Sequence, residues 1–316
     1  LRSMPRNARL PTEIRRLLDD RMNARAARDW SRADALRDEI AALGWEVQDG
    51  SLGSTARPSL PGEPLSSHGG SPEDLAAVLG NPATVAASVQ VVADEHRDDL
   101  QRLLAGLVTH PPSVTWELVV VANAPSFDVD PLTALVADVP STVLRATERL
   151  GWADSRNLGM RRSSGAVTVI VDTSIEPTGD FLAPLVGAFD DASIGIAGGW
   201  GVRSGDGRQF HDAPPGKVDA VEGYCLAIRR EALRAVGGFD RRFRFYRNAD
   251  LDLSFAVRDA GWRAVRTAPL PLVQHEHRGY TSLPEAERDR LSRRNFYRFL
   301  DHWGDRRDLL LEPEEQ

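Results

Sequence analysis

From Ala86 onward the chain alternates short β-branched runs with amphipathic stretches, and nothing else in it restricts the fold as strongly. "SVQVVA", "WELVVVAN", "TVLRA" and "AVTVIVD" read as buried strands. Between them lie "RDDLQRLLAGLVT", with Leu100, Leu103, Leu104 and Leu107 on one side, then "DPLTALVADV" and "WADSRNLGMRRSS", all predicted as helices. Strands apolar on both faces and separated by helices imply a mostly parallel sheet covered on both sides. Ligands of such sheets sit beyond the carboxyl ends of the strands. Three ends therefore matter: Asp94–Glu95, Ala122–Asn123 and Asp172.

The remainder divides by composition. Residues 1–50 are predicted to hold a helical hairpin. Ile14, Leu17 and Leu18 mark its first helix, and the second starts near Ser31 as N-cap, carries Leu36, Ile40 and Leu43, and stops at Gly44. Residues 51–85 are dense in Gly, Ser and Pro and read as a linker with a short helix at 72–79. Residues 86–316 form the α/β domain. With 316 residues, 41% hydrophobic, the chain can bury a sizeable core. A net charge of -7 excludes a global basic field that would recruit nucleic acid. Cys225, the single cysteine, cannot form an internal disulfide and reads as a small core residue. No transmembrane run and no apolar leader are seen, which points to the cytoplasm, free or at the inner face of the membrane.

Six segments in order carry a family resemblance: "VQVVADEHRDDLQRLLAGL", "WELVVVANAPS", "LGWADSRNLGMRRSSGAVTVIVD", "VEGYCLAIRREALRAVGGFDRRF", "NADLDLSFAVRDAGWR" and "PLVQHEHRG". Over residues 88–303 the chain resembles a family 2 glycosyltransferase with the GT-A fold: a nucleotide-sugar-binding α/β fold with a mostly parallel mixed sheet, here preceded by the helical hairpin. The resemblance implies transfer of a sugar from a nucleotide-diphosphate donor to an acceptor hydroxyl, with inversion. A hydroxyl attacking the anomeric carbon must lose its proton, so one carboxylate base is required. The leaving diphosphate gains charge, so a cation or fixed dipoles must stabilise it.

Carried over position by position, the resemblance makes Asp250 the general base. It puts Asp172 at the sugar or metal, with His275 as second ligand of a Mn or Mg ion. His277, two residues on, would point oppositely in an extended segment. Asp94, Glu95, Asn123, Arg156 and Asn157 fall on the donor side, the last two either meeting the diphosphate or bracing the cleft. Glu222 and Tyr224 fall on the acceptor wall. Gly237-Gly238-Phe239-Asp240 reads as a turn, and residues 200–217 as a loop over the site. The C-terminal segment with Phe296, Phe299, Leu300 and Trp303 reads as a core-packing helix rather than a membrane-surface one, because acids accompany its arginines. Three positions depart from the family pattern: Ala122, Ser174 and Ala249 stand where acids are usual. The alternative is thus a nucleotide-sugar-binding protein that has lost catalysis.

"LPTEIRRLLDDRMNARAARDWSRADALRDEIAALGWEVQDGSLGS" resembles the C-terminal tail of bacterial cysteinyl-tRNA synthetases. This implies RNA or protein contact through residues 11–49, and a further alternative, an RNA-associated glycosyltransferase with the hairpin as adaptor. The synthetase catalytic core is absent, so no aminoacylation follows.

Overall fold

A computed structural model describes residues 12–42, 45–50, 53–58, 79–94, 96–123, 129, 132, 134–146 and 148–312, and the chain divides into two compact units, Leu1–Pro64 and Leu65–Gln316.

In the first unit, helices α1 (Thr12–Ala26) and α2 (Trp30–Ala42) pack on the hairpin of β1 (Trp45–Gly50) and β2 (Gly53–Pro58). Leu17, Leu18, Leu36, Ile40 and Val47 make its core, at the spacing the helical periods predict. Buried Arg21 donates to Ser54 Oγ at 3.2 Å, tying α1 to β2. The N-cap of α2 is Asp29, not Ser31: Asp29 Oδ1 accepts from the backbone N–H of Arg32 at 3.0 Å. A carboxylate two residues earlier satisfies the free N–H three positions on, so Ser31 falls inside the helix. Strand β2 occupies the first residues of the stretch whose composition reads as linker. Its small residues form a ladder from Trp45↔Pro58 to Gly50↔Gly53, a pairing that Gly, Ser and Pro content conceals. The helix expected at 72–79 lies outside the described residues apart from buried Leu79.

The second unit is built on an eight-stranded sheet, in the order β11-β14-β8-β13-β6-β3-β4-β5. Its elements are β3 (Val85–Ala93), α3 (Arg97–Thr109), β4 (Trp116–Ala122), β5 (Ser141–Arg145), α4 (Trp152–Met160), β6 (Gly165–Val171), β7 (Ile175–Pro177), α5 (Leu182–Gly187), β8 (Ile194–Gly198), β9 (Gly201–Arg203), β10 (His211–Asp212), β11 (Gly216–Val218), β12 (Ala220–Val221), β13 (Cys225–Arg229), α6 (Arg230–Val236), α7 (Ala249–Asp259), β14 (Arg263–Arg266), β15 (Leu272–Gln274), α8 (Arg278–Thr281) and α9 (Glu285–Trp303). Strands β3, β4, β5 and β6 are parallel, as are β8 and β14. Strand β13 runs antiparallel between β6 and β8, making the sheet mixed. Where a helix is expected over 130–139, Leu132 is helical and a 3-10 turn follows at Ala134–Val136, while residues 130, 131 and 133 lie outside the described residues.

Alternation along the strands feeds two cores. Val169 and Val171 join the one under α3 and α5, whereas Ile170 joins the one under α6, α7 and α9, with Phe255 and Phe299. Cys225 is fully buried, and burial pushes its thiol up to about 12, consistent with a packing role. Helix α6 ends at Gly237, whose φ of 77° is the left-handed conformation that closes a helix. Residues 200–217 are not one open loop: β9 pairs with β10 and β12, and buried Asp219 accepts from the Ser204 N–H at 2.8 Å and from Arg258 at 2.8 Å. Asp240, Asp252 and His302 come within reach of one another, but Asp252 accepts from Trp303 Nε1 (2.8 Å) and Arg242 covers Asp240 (2.6 Å), so the cluster joins α7 to α9. Among the described residues no helix is long and apolar enough to cross a membrane.

Candidate active site

Helix α4 sits close on the sheet because residue 159 is glycine. A Cβ there would lie 2.1 Å from Gln90 Nε2, and Gln90 instead donates to the Arg156 carbonyl at 2.7 Å. The helix then delivers Arg156 and Asn157 to different tasks. Asn157 exchanges two hydrogen bonds with the backbone of Phe239 (2.8 and 2.9 Å), so its amide braces the Gly-Gly-Phe-Asp turn. The Arg156 guanidinium stacks on Trp152 at 4.0 Å and is buried. Burial lowers its proton affinity, and the charges of Asp172, Asp94 and Asp250 oppose that effect. Three of the strand-end and helix-end acids thus face a single cation.

Asp172 ends β6. Its N–H donates to the Tyr224 carbonyl at 2.9 Å, one step beyond the Val171↔Cys225 pair. Asp172 Oδ1 accepts from both the N–H (2.9 Å) and the hydroxyl (2.6 Å) of Ser174, so the residue standing where a second acid is usual holds the first one still. Asp172 Oδ2 faces His277 Nε2 at 3.4 Å and Arg156 at 3.8 Å. Burial alone would raise the carboxyl pKa, but His277, Arg156 and Ser174 outweigh it and hold it well below the usual range. Burial likewise disfavours the imidazolium of His277, yet the Asp172 contact keeps its pKa above the ordinary value. The ring stacks on Tyr246 at 4.7 Å.

His275 does not join this group. Its Nε2 meets Glu176 Oε2 at 2.6 Å, and its N–H continues the β7–β15 ladder to the Ser174 carbonyl at 2.8 Å. Side-chain alternation would send His277 away from Asp172 only if the strand continued. It ends at Gln274, and a turn into α8 (Arg278 N–H to Glu276 O, 3.0 Å) swings His277 inward.

Asp94 and Asn123 lie side by side where β3 and β4 end. Asn123 Nδ2 donates to Asp94 Oδ1 at 2.9 Å, and its Oδ1 accepts from the Leu150 N–H at 2.8 Å. Its amide therefore holds the chain at Leu150 and orients Asp94. Glu95 lies outside the described residues.

Asp250 is in the first turn of α7, after Asn248, whose φ of 66° is left-handed. Its Oδ2 accepts from the Gly223 N–H at 2.9 Å. Burial raises its pKa against the hydrogen bonds from Gly223 and Leu251. Glu222 is also raised, to about 7, by burial and by the charges of Asp250 and Asp212, with Arg247 and Arg266 opposing. Tyr224 is raised by burial and by the Glu222 charge, and packs edge-on against Trp200.

Asp172, Asp250, Glu222, Tyr224 and His277 all line one cavity of about 320 Å³. Arg156, Asn157, Asp94, Asn123 and His275 are not among its lining residues. Phe210, Asp212, Arg208, Tyr246 and Arg247 are, and sequence reasoning did not single them out. Tyr246 and Arg247 lie within four residues of Asp250, and the first three fall in the 200–217 segment expected over the site; that proximity was the available signal.

A family model, Glycosyl transferase family 2, matches residues 88–267. The chain belongs to glycosyl transferase family 2. Within this family it is similar to the pre-mycofactocin glycosyltransferase of Mycobacterium tuberculosis, 28% identical over 173 residues, which are 49% of this chain and 35% of that protein. The crystal structure of GalNAc-T7 with UDP, GalNAc and Mn2+ superposes with a TM-score of 0.59 at 16% identity, covering 71% of this chain and 50% of that one. This likeness shows that the family 2 domain has the GT-A fold. Ahead of it, the model of the cysteinyl-tRNA ligase anticodon binding domain matches residues 7–55. The cysteine–tRNA ligase of Nitratidesulfovibrio vulgaris is 62% identical over 39 residues, 12% of this chain and 8% of that protein. The chain thus spans about a third of the first of these curated relatives and less than a tenth of the second.

Proposed function

We propose that this chain is an inverting glycosyltransferase that moves a sugar from a nucleotide-diphosphate donor to an acceptor hydroxyl, with Asp250 as general base. The observation that carries the reading is the single cavity lined by both Asp172 and Asp250. An acid whose pKa is raised by burial is a better proton acceptor than an ordinary carboxylate. Its Oδ2 is held by Gly223, which fixes the carboxylate toward the cavity that would take the acceptor. Asp172 marks the donor end, and the buried guanidinium of Arg156 behind it, stacked on Trp152, adds positive charge that favours the negative charge developing on the leaving diphosphate.

A divalent ion fits Asp172 Oδ2 and His277 Nε2. Ligand bonds of about 2.0–2.2 Å put adjacent ligand atoms roughly 3 Å apart, and these two atoms lie at 3.4 Å. When bound, the ion supplies charge stabilisation to the diphosphate. In this reading His277 takes the place expected for His275.

Thermal-shift measurements with UDP, GDP and TDP, with and without manganese, test the donor site. Stabilisation by one nucleotide at millimolar concentration is expected, and none with any would overturn the reading. Stabilisation without transfer or donor hydrolysis would favour a binding protein that has lost catalysis.

The match of residues 7–55 favours a second element, RNA contact through residues 11–49. An electrophoretic shift of tRNA by the full chain at low salt tests it, and no shift would remove it.

A further inference from the structure

Helix α9 turns an apolar side to the core and the cavity, with Phe299 buried, Leu300 and Trp303 packed against the core, and Phe296 lining the cavity. None of the hydrophobic clusters among the described residues takes in a side chain from the other side of α9. Between Arg290 and Leu300 it carries four arginines, Arg290, Arg293, Arg294 and Arg298, and no acid. Arg290, Arg294 and Arg298 recur every four residues and so share one strip, a spacing at which like charges destabilise a helix. Arg244, from the segment after α6, adds a further cation. The proton affinity of Arg294 is lowered by burial and by the charges of Arg290 and Arg244, with Glu287 opposing, and that of Arg298 by burial, Arg294 and Arg242, with Asp240 opposing.

Compensation is incomplete. Glu287 pairs with Arg290 at 2.6 Å. No acid bonds to Arg244, Arg293 or Arg294 among the described residues, and the buried Arg294 Nε has no hydrogen-bond partner. Tyr297, set among them, is 59% exposed. Arg290, Arg293, Arg294 and Tyr297 line an open groove with Ala286 and a single acid, Asp289, at three arginines to one carboxylate. In a chain of net charge -7, this is an excess of positive charge held in one place against its own repulsion.

We propose that this face of α9 docks on an anionic phospholipid surface. The strip from Arg290 to Arg298 is about 12 Å long, and Asp289 and Asp301 bound it in the sequence. That is a compact spot rather than a track along a polyanion. Arginine with an outward tyrosine suits the headgroup boundary, where guanidiniums meet phosphates and the ring sits between water and acyl chains. The apolar side of α9 is already packed, so the contact is adsorption by charge and not insertion. The inference does not depend on the transfer reaction.

Sedimentation of the full chain with vesicles tests it. Binding is expected to equimolar phosphatidylcholine and phosphatidylglycerol and not to phosphatidylcholine alone, and it should fall as salt shortens the screening length from about 8 Å to about 3 Å. Each arginine near such a surface is worth about fivefold in partitioning. The triple variant Arg290→Gln, Arg293→Gln, Arg294→Gln should therefore lose about a hundredfold, whereas the matching Arg→Lys triple should retain most of the binding. Circular dichroism of both triples shows whether α9 still folds. Equal binding to neutral vesicles, or full binding by the folded glutamine triple, would overturn the proposal. Tighter binding to a single-stranded oligonucleotide than to anionic vesicles would assign the face to nucleic acid instead.

Discussion

The backbone N–H of Gly223 donates to Asp250 Oδ2 at 2.9 Å, joining the segment just before β13 to the first turn of α7. The bond orients the carboxylate independently of any ligand. Asp250→Asn keeps an acceptor for Gly223 and removes the basic oxygen. Transfer is expected to fall by about 10²–10⁴-fold, with the nucleotide dissociation constant nearly unchanged. Steady-state rates beside calorimetric titration check this, and transfer at the parent rate would remove Asp250 as the base.

His277 and His275 offer a paired test, since one faces Asp172 and the other Glu176. His277→Ala should weaken manganese stabilisation of the nucleotide complex by tenfold or more, taking 10–100-fold as the general scale for disturbing a metal site. His275→Ala should leave it within about twofold. A thermal-shift titration of manganese reads both, and the reverse order would restore the sequence-based assignment.

Glu222 makes the site sensitive to pH. Its folded pKa is raised from 4.5 to about 7, so the native state holds the proton more tightly than the unfolded chain does. Stability from this group is then greatest below about 4.5, the unfolded value, and declines as pH rises toward 7. Glu222→Gln removes the cost of the buried charge. The variant should melt higher than the parent at pH 8 and together with it near pH 4, and melting curves across that range decide the matter.

Asn157 is expected to be structural. Asn157→Ala leaves the Phe239 N–H and carbonyl unpaired in a buried place, at about 1–3 kcal/mol for each group left unsatisfied. Chemical denaturation should show that loss, while nucleotide affinity measured on the folded fraction stays close to the parent's. A large affinity change at unaltered stability would return Asn157 to the donor side.

Gly159→Ala tests the seat of α4. The added Cβ would meet Gln90 Nε2 at 2.1 Å and Cδ at 2.6 Å, so the helix or Gln90 must move. A loss of about 1–3 kcal/mol is expected from overpacking, read in the same denaturation experiment.

Strand and helix patterning made the sheet legible, because β-branched runs such as Val167–Val171 have no other stable place than a covered sheet. Of the cavity's acids, Asp172 was legible because an apolar run stops on it at the end of β6, and Asp250 because its segment, "NADLDLSFAVRDAGWR", resembles the family's base-bearing one. What escaped the sequence depends on direction. A turn after Gln274 decides which histidine faces inward, and periodicity ends where that turn begins. The cap of α2 went to Asp29 because two candidate caps compete within three residues and composition cannot rank them. The hairpin of β1 and β2 was hidden because β1 offers only Trp45 and Val47, and β2, "GSTARP", has no large apolar residue to mark it as a strand.

Strand β13 leaves Tyr224 bonded to Asp172 immediately beyond their shared ladder, while the preceding Gly223 holds Asp250. Three successive backbone positions, 223 to 225, are thus stitched to both walls of the crevice. A graft that exchanges one wall for that of a relative cannot be cut here without loosening the opposite one. Chimeras built to alter acceptor choice should carry residues 169–177 and 220–252 as one cassette.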